Sequence, residues 1–339
     1  MKRVVVTGAA GFIGFHVARA LVARGDRVVG TDNLSPYYDV GLKRARLAQL
    51  AGEDGFEFHE IDLADRASML SLLRGVRPTH VVHLAAQAGV RHSIAKPWDY
   101  VESNLVGFMG MLEACRELGV EHMVYASSSS VYGASARLPY SEHDAADHPV
   151  SLYAATKRAN ELLAHSYSHL FRIPLTGLRL FTVYGPWGRP DMAYYTFTDA
   201  ILAGRPISLH MGGVLRRDFT FIDDVVEGVV RTMDRVPAPD PAWRTDAPDP
   251  ALSSAPFRLY NIGNHTPVTV RTLVETLERH LGRRALIEVS PMQAGDVEAT
   301  HARVDDLARD TGFAPATTLD DGIRQFVAWY REYHGVPGA

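Results

Sequence analysis

The sequence predicts a doubly wound α/β fold, a parallel sheet with helices on both faces, and three observations predict it. Short β-branched runs alternate with amphipathic helical stretches through the first half of the chain. Those runs are apolar on both faces, as strands covered on both sides must be. A glycine-rich turn, "TGAAGFIG", joins the first run to the first helical stretch.

In order, "RVVVTG" reads as the first strand and "FIGFHVARALVARG" as the helix after it. "RVVGTD", "FEFHEIDL", "HVVHLAA", "HMVYASS" and "LTGLRLF" follow as strands with amphipathic stretches between them. Ligands of such a sheet sit at the carboxyl ends of its strands. The serine run at 127–130 falls at one of those ends. After about residue 182 the rhythm changes, with "YGPWGRPDMAYY" rich in glycine, proline and aromatics. Residues 1–181 are expected to form the nucleotide-binding domain, with return segments near 219–235 and 257–263. Residues 182–218 and 264–339 form a smaller C-terminal α/β cap, with helices near 270–281 and 320–334. The proline-rich stretch 236–256 reads as a solvated surface excursion, because strand-like "FRLYNIG" resumes directly after it.

The 339 residues are 46% hydrophobic and 22% charged, an ordinary globular composition. A net charge of −4 gives no general attraction to nucleic acid or to an anionic membrane. A phosphorylated ligand therefore needs local donors. The single cysteine, Cys115, lies in amphipathic "GMLEACRELG" and reads as a buried apolar residue. No stretch resembles a signal peptide or a membrane span, and the expected location is the cytoplasm. No metal site is expected.

In "VVVTGAAGFIG", Gly8, Gly11 and Gly14 follow a strand and open a helix, with Phe12 and Ile13 between the last two. Such glycines permit a tight turn and close approach of a pyrophosphate to the helix N-terminus. The first gap is one residue longer than in the usual Rossmann fingerprint. Asp32, followed by Asn33, ends the next strand, where an acid can bind the adenosine ribose hydroxyls. Its charge repels a 2′-phosphate, so NAD is favoured over NADP. Lys43, Arg44 and Arg46 follow closely and read as a solvated helix face.

"SLYAATKRANELL" puts Tyr153 and Lys157 four apart on one helix face. A phenol with an ordinary pKa of about 10 is a poor base at neutral pH. A neighbouring ammonium and a nicotinamide cation would both lower it.

Taken together, TGxxGFIG, "HLAAQAGV", "SSSSVYG", YxxxK, "GLRLFTVYGP" and "RRDFTFIDD" resemble the extended short-chain dehydrogenase/reductase family, in its nucleotide-sugar epimerase and dehydratase branch. "DNLSPYYDVGLKRARL" and "YGPWGRPDMAYY" most resemble the UDP-glucuronate 4-epimerases. The resemblance implies NAD on the first domain, a UDP-sugar under the cap, and a homodimer through helices at roughly 99–118 and 151–171. It makes Tyr153 the base, Lys157 its partner on the nicotinamide ribose, and Ser128 the hydroxyl bridging the sugar 4-hydroxyl and Tyr153. It puts Asp62 and Leu63 beside the adenine and Leu84, Ala85 and Ala86 beside the pyrophosphate, and it counts Asn104, on a helix behind the site, among the cofactor-binding residues; the alternative for Asn104 is a satisfied core amide. Arg217 matches an arginine on the UDP phosphates, and Asp296 matches an acid near the uridine ribose. Some relatives carry an arginine where this chain has Gln293, which places more of the phosphate charge on Arg217 and Arg189.

Dehydratases of the family have an Asp–Glu pair after the catalytic hydroxyl; here those positions are Ser129 and Ser130, which cannot perform acid–base elimination. What remains is reversible oxidation at C4, with the 4-keto sugar turning over before reduction on its other face. With a uronate this intermediate is a β-keto acid, and its carboxylate must be held away from the geometry that loses CO₂. Ser127, Ser129 and Thr182 are the candidate carboxylate donors; the alternative is that the flanking serines only form a turn. Three other functions stay open: UDP-glucose 4-epimerase, UDP-glucuronate decarboxylase and a non-catalytic NAD-binding scaffold.

Overall fold

The computed structural model describes residues 1–292 and 295–337. The first half alternates as the sequence predicts. Strands β1 (Arg3–Thr7), β2 (Arg27–Asp32) and β3 (Phe56–Glu60) are separated by helices α1 (Phe12–Ala23) and α2 (Val40–Ala48). Helix α3 (Arg66–Val76) leads to β4 (His80–His83). Two short helices, α4 (His92–Ala95) and α5 (Pro97–Tyr100), then pass through a π-helical turn at Val101–Gly107 into α6 (Phe108–Leu118). Strand β5 (His122–Ser128), the long α7 (Leu152–Phe171) and β6 (Leu175–Leu180) follow. Side-chain caps start several helices: Asp39 accepts from the Gly41 amide, Asp65 from Ser68 and Ser151 from Ala154.

The rest of the chain is more broken. It runs β7 (Thr182–Tyr184), α8 (Ala193–Leu202), β8 (Pro206–His210), β9 (Arg216–Arg217), β10 (Phe219–Phe221) and α9 (Ile222–Asp234). Then come β11 (Phe257–Ile262), β12 (Val268–Thr269), α10 (Val270–Leu281), β13 (Leu286–Ser290), α11 (Asp305–Thr311) and α12 (Leu319–His334).

Seven strands make one sheet in the order β11-β6-β5-β4-β1-β2-β3, and every pairing in it is parallel. The order reverses between β1 and β4, which opens a crevice at their carboxyl ends. Alternation along the strands builds two cores. Val4, Val6, Val82 and Val124 point to one face, where Phe15 and Leu21 of α1 pack with Val225, Val229 and Met233 of α9. Val5, Val81, Met123 and Tyr125 point to the other, against Leu73 of α3, Phe108, Met111 and Leu112 of α6, and Ala164 of α7. Both α9 and β11 thus return to the first half of the chain after the excursion through β7–β10.

Elements after β7 border the crevice, chiefly through residues of α8, β8 and the 215–219 segment. Helices α8, α10 and α12 pack together through Ile201, Leu273, Leu277, Phe326 and Tyr330, and β8 pairs in parallel with β13. The 236–256 stretch corrects the expectation of a wholly solvated excursion. Its last part is anchored: Ala251, Ser253 and Ala255 are buried, Ser253 bonds His165 at 2.9 Å, and Asp249 bonds His143 at 2.7 Å.

Candidate active site

A cleft of about 1200 Å³ lies at the carboxyl ends of the strands, bounded on its far side by residues of α8, β8 and the 215–219 segment. At its cofactor end Gly8 has φ +73°, and a Cβ there would lie 2.8 Å from the Ala85 backbone nitrogen. A Cβ on Gly14 would lie 2.0 Å from the Gly8 carbonyl oxygen. Glycine is therefore required at both positions. Gly11 caps α1 without a side-chain acceptor, so the first helical amides, of Phe12 and Ile13, line the cleft with no partner among the described residues. Across from them Asp32 ends β2, its carboxylate accepting from the Leu34 amide at 2.8 Å and from Lys43 Nζ at 3.2 Å. Asn33 donates to Asp62 at 2.8 Å, tying the ends of β2 and β3. Leu63, Leu84, Ala85 and Ala86 complete this wall. Uncapped helix amides facing a carboxylate at the next strand end fit a dinucleotide with unphosphorylated ribose hydroxyls.

Two expectations are corrected here. Lys43 and Arg46 do not lie on a solvated face; both are buried, because Asp32 and backbone carbonyls of neighbouring loops provide partners. Arg44 alone of the three is exposed. Asn104 does not line the cleft. Its amide is saturated: its Oδ1 accepts from the Gln87 amide at 2.8 Å, and its Nδ2 donates to Gln87 O and Thr156 Oγ1 at 3.0 and 3.1 Å. It braces the loop after β4 from behind, within the π-helical turn.

Helix α7 carries Tyr153 and Lys157 into the middle of the cleft. Lys157 is buried, donates to the Ala126 carbonyl at 2.9 Å, and is pushed by desolvation down to about 8. Tyr153 meets Tyr100 edge to face, with ring centroids 6.2 Å apart. Burial holds its phenol above the ordinary value, while a hydrogen bond with Ser128 and the Arg189 charge pull the other way. The expectation of a lowered phenol is thus corrected as far as the protein's own groups set it: desolvation outweighs them.

The serine run divides by direction, as consecutive residues of a strand end must. Ser127 points inward and donates to Glu161 at 2.6 Å. That carboxylate also binds Arg179 through two bonds of 2.9 Å, and Arg158 at 2.9 Å, which hold it below its usual range despite burial. The proton of Ser127 is committed, so its expected place as a carboxylate donor is corrected. Ser128 lies beside Tyr153 and accepts from the Ser130 amide at 3.1 Å, capping a 3₁₀ turn at Ser129–Tyr132. Ser129 and Ser130 line the cleft, as does Thr182 at the start of β7. The hydroxyls of Ser129 and Thr182 have no partner among the described residues.

At the far end Arg217 donates to Asp296 at 3.0 Å, and both line the cleft. Gln293 lies outside the described residues. Arg189 donates to Asp191 at 3.0 and 2.5 Å, and its guanidinium lies 5.6 Å from the centre of the Tyr37 ring. Tyr37 in turn donates to Asp191 at 3.0 Å. Tyr37 and Asp191 were not among the residues singled out from sequence; the paired tyrosines a few residues past a strand end in "DNLSPYYD" are the signal that could have found Tyr37.

A dinucleotide turn facing a tyrosine and lysine one helical turn apart, with a serine hydroxyl between, defines a short-chain dehydrogenase/reductase cleft. The chain belongs to the NAD dependent epimerase/dehydratase family, whose model matches residues 4–243. It is 48% identical to a probable UDP-glucuronate 4-epimerase of Rhizobium meliloti, over 97% of this chain and 96% of that one. UDP-glucuronic acid 4-epimerase from Bacillus cereus, solved with UDP-glucuronic acid and NAD, superposes with a TM-score of 0.87 at 30% identity, covering 97% and 99% of the two chains. UDP-glucose 4-epimerase from Thermotoga maritima, solved with UDP-glucose, gives 0.85 at 27% identity, covering 98% and 99%.

Proposed function

We propose that this protein is an NAD-dependent UDP-glucuronate 4-epimerase, interconverting UDP-glucuronate and UDP-galacturonate through a 4-keto sugar. The observation that carries the choice is the pair of unpartnered hydroxyls, Ser129 and Thr182, in the cleft that holds Tyr153. They suit a sugar carboxylate, and neither Ser129 nor Ser130 can serve the acid–base elimination of a dehydratase.

The amides of Phe12 and Ile13, the Asp32 carboxylate and Lys157 would hold NAD, which supplies reversible two-electron oxidation at C4 when bound. Tyr153 takes the proton of the sugar 4-hydroxyl and later returns it, while Ser128 holds that hydroxyl against the phenol. With a pKa near 8, Lys157 is largely protonated at neutral pH, an ammonium one helical turn from Tyr153. Ser129 and Thr182 fix the C6 carboxylate away from the orientation that expels CO₂. Arg217 and Arg189 neutralise the diphosphate, and Asp296 receives the uridine ribose. Residues 1–181 with their return segments carry the cofactor, and 182–218 with 264–339 the sugar nucleotide.

The same reading makes the protein a cytoplasmic homodimer. Leu162, Leu170 and Phe171 on α7, with Val106 in the 99–118 stretch and Trp98 just before it, are large apolar residues left exposed where the helices would meet. The one cysteine is buried, and no helix among the described residues is long and apolar enough to cross a membrane. Separate incubations with UDP-glucuronate and UDP-glucose, followed by mass spectrometry and NMR of the products, test the assignment. UDP-galacturonate from the first and far slower conversion of the second are expected. Equal turnover of both would make it a neutral-sugar epimerase, and a UDP-pentose with CO₂ would make it a decarboxylase.

A further inference from the structure

Arg46 of α2 is fully buried, and the mechanism above gives it no part. A guanidinium has five N–H donors, and here all five are used. Nε donates to the Trp187 carbonyl at 3.0 Å, and Nη2 to the Trp187 and Gly188 carbonyls at 2.7 and 3.2 Å. Nη1 donates to the Ala10 carbonyl at 2.9 Å and to the Tyr38 hydroxyl at 2.6 Å. One side chain thus ties the glycine turn, which contains Ala10, to the loop whose next residue is Arg189.

That loop cannot adopt this path without restraint. Trp187 has φ +62°, in the left-handed region that a bulky residue avoids. Its ring is held by Phe15 at 5.7 Å, Trp329 at 5.3 Å and Tyr333 at 5.2 Å, and its carbonyl by the two bonds from Arg46. Gly188 leaves no slack either, since a Cβ there would lie 1.9 Å from the Tyr194 hydroxyl.

We infer that Arg46 is a positioning residue that locks the glycine turn and the Arg189 loop into one unit. It thereby sets the register between the cofactor pyrophosphate and the diphosphate of the sugar nucleotide. The inference rests on the reading of Arg189 as a phosphate ligand. A lysine keeps the charge, but its single nitrogen cannot fork across two loops.

In the NAD-loaded protein, Arg46→Lys is expected to raise KM for UDP-glucuronate about tenfold while kcat falls less than about threefold, because ground-state positioning is what is lost. In an Arg189→Ala background the same substitution should change KM by less than about twofold, the non-additivity of two residues acting through one contact. Tyr38→Phe removes one of the five bonds at nearly constant volume; a rise of about threefold with the same non-additivity is expected. It carries the test if Arg46→Lys does not fold. Arg44→Ala, exposed on the same helix, should leave both constants unchanged. If Arg189→Ala alone leaves KM unchanged, the phosphate reading of Arg189 falls and the inference with it. If it raises KM and Arg46→Lys or Tyr38→Phe adds its full effect on top, the inference alone is overturned. An unchanged KM in the single variants, or a loss confined to kcat, overturns it too.

Discussion

Lys157→Met should abolish activity and alter how stability depends on pH. Burial moves the Lys157 pKa from 10.5 to about 8 in the folded protein, while the unfolded chain keeps an ordinary lysine. Between those two values the unfolded state binds more protons than the folded one, so stability rises with pH across that window. Holding the ammonium in place at neutral pH therefore costs about 3 kcal/mol relative to an exposed lysine. From pH 7.5 to 9.5 wild type should recover about 2 kcal/mol of it as the folded lysine deprotonates first. Methionine has no charge to desolvate, and its bulk is similar. Its loss of the bond to the Ala126 carbonyl offsets part of the gain at pH 7.5 but does not vary with pH. Urea unfolding of both proteins at several pH values between 7 and 10 measures the difference, since all other titrating groups are shared. The variant should be favoured relative to wild type at pH 7.5, and that advantage should shrink by about 2 kcal/mol by pH 9.5. Parallel pH profiles for the two proteins would refute the desolvated, charged lysine.

Tyr153→Phe keeps the ring and removes only the proton acceptor, so turnover should drop by about 10² to 10⁴ with the melting temperature little changed. Retention of more than half the wild-type rate under saturating substrate would require another base. Thr182→Val is nearly isosteric and removes one hydroxyl from the cleft. It should weaken UDP-glucuronate binding by about 1.5–3 kcal/mol and raise the share of CO₂ released per turnover. A variant indifferent to the sugar carboxylate would reduce the unpartnered hydroxyls to turn-forming residues.

Local features of this fold were readable because their causes are local. The alternation of Val4, Val5 and Val6 between two cores follows from strand geometry. The seventh sheet strand was visible in "FRLYNIG", and helices α10 and α12 lie within a residue of their expected bounds. The failures share another cause, a partner far away in the chain. Arg46 looked solvated because the carbonyl it binds lies 141 residues downstream. Ser127 looked like a ligand group because Glu161 lies 34 residues on, along α7. Asn104 and Ser253 are satisfied in the same way by distant loops and helices. The strands β9 and β12 have two residues each, too short to carry a period. The Tyr153–Lys157 pair was legible as a spacing, but the sign of the phenol shift was not, because desolvation depends on everything packed around it.

In the proposed reaction C4 of a single sugar is oxidised and re-reduced within one cleft. UDP-glucuronate deuterated at C4, incubated with the enzyme in ordinary water, tests it most directly. NMR of the product should show UDP-galacturonate that keeps its deuterium at C4, because the hydrogen removed from one face returns to the other without exchanging with solvent. UDP-galacturonate carrying protium at C4 would contradict the mechanism, and deuterated starting material left wholly unconverted would contradict the function.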